Sequence, residues 1–198
     1  MSQPLLQVVV GSTRPGRKGL AVARWVSQLA DAHGGFDVEL VDLAEVGLPV
    51  FDEPDHPRLQ RYTHQHTRDW SAIVERADAF VFVTPEYNHS YPAALKNALD
   101  FLSVEWADKA AGLVSYGGVS AGLRAAQALK PVLTALRMVP VVEAATIPFF
   151  QQFLTADGDF VPNDQLAAGG NAMLDELLRL TTALRPLRTA VPEPAAQA

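Results

Sequence analysis

The chain has 198 residues, 48% of them hydrophobic, with three Trp and nine Phe, which is enough to bury one substantial core and makes a single domain the default. Its formal charge of −6, without a basic stripe, argues against nucleic acid as a partner, because phosphate backbones are held by clustered Lys and Arg. Cysteine is absent, which excludes disulfides, thiolate catalysis and thiolate metal sites.

Leu5 to Val10 is a continuous Val-rich run that stops at Gly11, the pattern of a central parallel strand. Preceded by no basic n-region, it is not a secretory leader. Nothing in the chain reaches the ~20 apolar residues of a membrane span. A cytoplasmic protein without a membrane partner is expected. GSTRPGRKG follows the strand, and from about Lys18 to Ala32 apolar residues recur at helical spacing, with Leu20, Ala23, Val26, Leu29 and Ala30 on one face. Gly11 to Gly19 is therefore a Gly-rich turn feeding a helix start, which carries roughly half a positive charge and unpaired N–H groups. Ser12 and Thr13 add hydroxyls; Arg14, Arg17 and Lys18 add full charges. A phosphate dianion suits that set.

Two familiar phosphate motifs do not fit. Gly11 and Gly16 have the spacing of the nucleoside-triphosphate loop, but Arg17 stands where Lys is required and Gly19 follows Lys18, leaving no hydroxyl for Mg²⁺. The dinucleotide fingerprint G-x-G-x-x-G is missing, and Asp42 at the end of the next strand reads as a loop or cap residue, not a ribose ligand.

Phe36 to Leu43 is the second strand. VGLPVFDEPDHPRL, with three Pro, is a loop in which Phe51 is placed to pack over a neighbouring site or subunit. Gln60 to Arg76 reads as a helix with Trp70, Ile73 and Val74 inward. On it His64 and His66, two residues apart, point to different faces, a poor metal pair left to solvent. No metal is expected.

Ala79 to Thr84 is another fully apolar strand, ended by Pro85. Pro92 opens a helix from near Tyr91, with Leu95, Leu99 and Leu102 inward and Lys96 paired outward with Asp100. The joint between them holds Glu86, Tyr87, Asn88, His89, Ser90 and Tyr91 at a strand's carboxyl end, where open α/β sheets bind ligands. Trp106 beyond that helix belongs either to the core or to a subunit contact. Ala110 to Tyr116 is the fourth strand, and Ser115, Tyr116, Gly117 and Gly118 then allow close backbone approach to a ligand. A helix from about Gly122 should be kinked or broken at Pro131. Val139 to Glu143 is strand five, ATIPFFQQF an irregular aromatic segment, and Leu166 to Leu184 a closing helix carrying Leu174, Leu177, Leu178 and Leu184. The domain spans 1–184, and 185–198 reads as a disordered tail.

Strands alternating with helices specify an α/β doubly wound parallel sheet, and five strands favour the flavodoxin-like order 2-1-3-4-5. In that order the loops after strands one, three and four open on one edge. A phosphate cradle, a polar aromatic loop and a Gly-rich loop converging there describe a site for a phosphorylated flat ring, and FMN fits.

The motifs GSTRPGRKG, TPEYNHSYPAALKNALDFL and SYGG, with VPVVEAATIPF at the fifth strand, resemble the NADPH-dependent FMN reductase family, which includes quinone, azo-dye and chromate reductases. The resemblance covers about residues 5 to 184. It implies an FMN-dependent NAD(P)H oxidoreductase that passes hydride from NADPH or NADH through FMN to a flavin, quinone or similar small acceptor in ping-pong fashion. The flavin carries the chemistry and no side chain need be catalytic, although His89 or Tyr87 is placed to give a quinone its proton. The family's pattern puts Ser12, Thr13, Arg14 and the turn Arg17, Lys18, Gly19 and Leu20 at the FMN phosphate. It puts Pro85, Glu86, Tyr87 and Asn88 along one side of the ring and Ser115, Tyr116, Gly117 and Gly118 along the other. Many members carry a Ser near Lys18 or Gly19, which this chain lacks. The family also implies a homodimer or homotetramer. A flavodoxin-type electron carrier, binding FMN without NAD(P)H oxidase activity, is the alternative; a hydrolase or kinase would need the displaced Lys.

Overall fold

The computed structural model describes residues 3–189. Five strands, β1 (Leu5–Val10), β2 (Asp37–Asp42), β3 (Ala79–Pro85), β4 (Ala110–Tyr116) and β5 (Val139–Ile147), form one all-parallel sheet in the order 2-1-3-4-5. The helices are α1 (Gly19–His33), α2 (Leu43–Val46), α3 (Gln65–Glu75), α4 (Ala93–Asp100), α5 (Leu123–Ala135) and α6 (Asp164–Thr189). Every residue of β3 and β4 is buried, as continuous apolar runs require when helices cover both faces. Successive residues serve opposite layers: Ala79, Val81 and Val83 pack toward α1 and α6, and Phe80 and Phe82 toward α3, α4 and α5.

Several boundaries differ from expectation for local reasons. Strand β5 runs on to Ile147, because as an edge strand it alternates buried and exposed residues and its polar positions do not end it. Helix α3 starts at Gln65, not Gln60, since the buried Glu53 carboxylate accepts from the Thr63 and His64 amides at 2.8 and 3.0 Å and fixes the entry there. Burial pushes the Glu53 carboxyl up, and the hydrogen bonds it accepts over-ride that to bring it to about 2. His64 is thus an extended cap residue, so the helical offset between His64 and His66 does not apply. Their rings stack 5.1 Å apart, and both approach Asp52, His66 at 2.9 Å. Among the described residues no group of three or more His, Cys, Asp or Glu is set to hold a metal.

Helix α5 runs through Pro131 without breaking. Pro92 caps α4 from just outside it, and Lys96 pairs with Asp100. Phe51 packs edge-on against Phe101, and its amide donates to Asn97. Trp106 is core: fully buried, it donates its indole N–H to the Leu99 carbonyl at 3.1 Å, as Trp70 does to Ala98 at 2.9 Å. Residues 185–189, expected in a disordered tail, continue α6. Arg188 donates to Asp78 at 2.6 Å, and the same carboxylate accepts the Leu5 amide at 2.9 Å. Residues 190–198 lie outside the described residues.

Lys109 is 4% exposed just ahead of β4, donates to the Val74 and Glu75 carbonyls at the end of α3, and lies over the Phe80 ring. Desolvation, helped by the Arg188 charge, brings its ammonium from 10.5 down to about 8. The folded state therefore releases this proton before the unfolded chain does, and its contribution to stability rises with pH between those values. Denaturant unfolding of wild type against Lys109→Met should show the wild type gaining roughly 2 kcal/mol on the variant from pH 8 to pH 10.

Candidate functional site

Parallel strands leave the sheet at one edge, so the segments after β1, β3, β4 and β5 meet there around a cavity of about 450 Å³. That is within the range of small-ligand sites, about 300–1,000 Å³.

From the β1 turn, Arg14, Gly16, Arg17 and Lys18 line the cavity. Gly16 takes φ 70°, a conformation that suits Gly, and the Arg17 amide bonds back to the Arg14 carbonyl at 3.0 Å. One guanidinium nitrogen of Arg17 sits 2.5 Å from Asp42, whose other oxygen accepts the Ala44 amide and caps α2. Asp42 is thus a cap, as its sequence position indicated, and it also aims Arg17. The Nε of Arg17 is a buried donor with no hydrogen-bond partner in the protein. The first turn of α1 carries no acidic residue, so its positive end is not neutralised from within. An anion at this position satisfies both features.

The other residues expected here have different surroundings. Ser12 is fully buried, 2.8 Å from the Tyr87 hydroxyl. Thr13 lines a neighbouring cleft with Leu43, Gly47 and Asn97. Gly19 lies buried against the Tyr116 hydroxyl, and half-buried Leu20 packs against the α1 face of the core.

From the β3 loop, Pro85, Glu86 and Tyr87 line the cavity. Asn88 and His89, at φ 49° and 70°, form a tight turn closed by two Tyr87–Ser90 backbone bonds of 2.8 and 3.0 Å, and neither is among the lining residues. The Glu86 carboxylate is engaged elsewhere. It accepts from the Arg124 guanidinium at 2.5 Å, the Ser120 hydroxyl at 3.0 Å and the Arg124 amide at 3.2 Å, which is the start of α5. Burial pushes its carboxyl up, but the bonds from Arg124 and Ser120 outweigh that and hold it below the usual range.

From the β4 loop come Tyr116, Gly117 and Gly118, whereas the Ser115 hydroxyl is turned away to the Ala121 carbonyl at 2.9 Å. Burial raises the Tyr116 phenol above its ordinary value. The remaining wall is Phe150, Gln151 and Leu154, which with Gly16 were not anticipated. The Phe149 and Phe150 amides bond to Gly118 and Gly117, which holds that segment against the β4 loop. The extension of β5 to the sheet edge is the signal that would have found it.

The model of NADPH-dependent FMN reductase matches residues 4–152. The chain belongs to that family. An NAD(P)H-dependent FMN reductase of Schizosaccharomyces pombe is 44% identical over 149 residues, 73% of this chain and 74% of its own. A quinone reductase of Pseudomonas putida is 35% identical across 66% of this chain and 70% of its own. Among solved structures, FerB, a flavoenzyme NAD(P)H:(acceptor) oxidoreductase from Paracoccus denitrificans, superposes with a TM-score of 0.73 at 23% identity, covering 91% of this chain and 98% of that one, a likeness of fold. This family member is accordingly an oxidoreductase that works with FMN and NAD(P)H.

Removing the charge of Glu86 tests the tie between the β3 loop and α5. Glu86→Gln should lower the unfolding free energy at pH 7 by about 1–2 kcal/mol. Because the folded carboxyl lies below its ordinary 4.5, that difference should be complete above pH 6 and shrink as acid takes the pH through the folded value, followed by chemical denaturation.

Proposed function

We propose that this chain reduces quinone-like, flat small-molecule acceptors with NADPH or NADH, and that it holds FMN with the phosphate at the head of α1 and the ring toward the β3 and β4 loops. The observation that carries the placement is the buried, unpartnered Nε of Arg17 in a cup with Arg14 and Lys18. FMN when bound supplies the hydride-accepting ring.

The protein's own groups then bind and orient. Arg17 is aimed by Asp42 and would hold the phosphate with a pre-set guanidinium; Arg14 and Lys18 add exposed positive charge. Pro85, Tyr87, Gly117 and Gly118 wall the ring region, and the two Gly leave backbone within reach of it. Glu86 fixes the spacing of the two walls through Arg124 and Ser120. Tyr87 lines the cavity with its hydroxyl bonded to Ser12, a position from which it can hold or pass a proton to an acceptor; His89 is outside the lining. The electron-carrier alternative gains no support from relatives that are reductases.

A cytoplasmic setting and a homo-oligomer are part of this reading. Among the described residues no helix is long and apolar enough to cross a membrane. Val142 on edge strand β5, and Val119 and Phe149 next in sequence to the cavity-lining Gly118 and Phe150, are 83%, 81% and 48% exposed, and such exposed apolar positions support contact with a second copy. Light scattering at micromolar concentration should give a dimer or tetramer mass; a monomer overturns that part.

The purified protein should be yellow and oxidise NAD(P)H when offered a quinone. Arg17→Ala should lose its flavin on desalting, with FMN affinity reduced roughly 10- to 100-fold, the worth of one charge-assisted bond. A colourless wild type that ignores added FMN would overturn the assignment.

A further inference from the structure

The β1 turn has few hydroxyls left for an anion. Ser12 is buried and engaged by the Tyr87 and Tyr116 hydroxyls, Thr13 belongs to the neighbouring cleft, and Gly16 to Leu20 contain neither Ser nor Thr. A hydroxyl nevertheless reaches the head of α1 from across the sheet. Tyr116 ends β4, two strands away from β1 and in register with Pro85, and its hydroxyl lies against Gly19. A Cβ built on Gly19 would stand 2.6 Å from the Tyr116 Oη and 3.5 Å from its Cζ. Carbon cannot approach an oxygen that closely, so the phenol occupies the space that a side chain at position 19 would fill. Phe150 packs across the ring, centroids 5.2 Å apart at 66°, and fixes its direction.

We infer that Tyr116, admitted by the bare backbone of Gly19, supplies the hydroxyl donor to the phosphate of the bound flavin nucleotide, beside Arg17. This rests on the placement of the phosphate at the head of α1 and assigns to Tyr116 a role different from lining the ring. The hydroxyl stands in the correct protonation state for it, since burial keeps the phenol un-ionised well above neutrality. Its neighbours are compatible with a donor: Arg17 carries the positive charge that draws the anion, the Ser12 hydroxyl that joins Tyr87 also interacts with the phenol and is able to donate to its oxygen, leaving the phenol O–H for the phosphate, and Tyr116 is one of the lining residues of the same cavity. Gly19 and Tyr116 are therefore a reciprocal pair, in which a side chain at one position excludes the hydroxyl at the other.

The test is titration of the flavin-free full chain with FMN and with riboflavin, following flavin fluorescence. Wild type should prefer FMN. Tyr116→Phe should weaken FMN roughly 10- to 100-fold while leaving riboflavin unchanged, because only the phosphate loses a bond. Gly19→Ser alone should also weaken FMN, by pushing the phenol aside. In the double variant Gly19→Ser with Tyr116→Phe, the missing oxygen makes room for the serine, whose own hydroxyl restores the preference for FMN. A wild-type preference that Tyr116→Phe leaves intact overturns the inference and spares the phosphate site. Equal weakening of both ligands overturns it too, marking Tyr116 as packing only. A wild type indifferent to the phosphate overturns both this inference and the placement on which it rests.

Discussion

Complete burial of β3 and β4 is the constraint from which the rest follows. A strand covered on both faces satisfies its backbone polar groups within the sheet and has no side chain left to meet solvent. Chemistry is thereby confined to the segments leaving the carboxyl edge. The order 2-1-3-4-5 then decides which segments meet: those after β1 and β3 are neighbours because the chain reverses direction of growth between them, and β4 and β5 extend the wall. The cavity is a product of topology before any individual residue enters.

What individual residues add is rigidity. Asp42 at the end of β2 aims Arg17 from β1; Ser12 from β1 holds Tyr87 from β3; Glu86 from β3 grips the start of α5. Each bond crosses from one loop to another, and Ser12 and Asp42 are themselves buried, so little water competes for them. Such cross-bracing fixes the geometry of the cavity in the unliganded protein, and a preformed cavity lowers the ordering cost of any binding there. The tight turn at Asn88 and His89, with two consecutive left-handed residues that are not Gly, belongs to the same loop and is held by its paired backbone bonds.

Much of this was legible in the sequence because hydrophobic runs are local signals. The two central strands could be read nearly to the residue, since nothing but an apolar strand fits AFVFVT or AAGLVSY between such turns. The end of β5 is hidden in the sequence because an edge strand has exposed positions, and Glu143 resembles an ending. The start of α3 is equally hidden, because Gln60 to His64 are acceptable in a helix; what stops it is Glu53, a capping partner ten residues away that no periodicity reveals. The same cap placed His64 beside His66. In the site, Arg14, Arg17, Lys18 and Tyr87 can be named from their loops, but of adjacent Ser12 and Thr13 one is buried against Tyr87 and the other lines a neighbouring cleft, and Phe150, Gln151 and Leu154 arrive from far along the chain. Side-chain direction and distant partners are tertiary facts.

The carboxylate of Asp78 accepts both the Leu5 amide at the entrance of β1 and the Arg188 guanidinium near the end of α6. The first strand and the last helix are therefore latched together at the edge of the sheet opposite the cavity. Tension applied to the two ends of the described chain would be borne by this clasp and the amino-terminal edge, leaving the loops around the cavity under no direct load. A fold built this way can begin to fray at one rim while the other still keeps its shape.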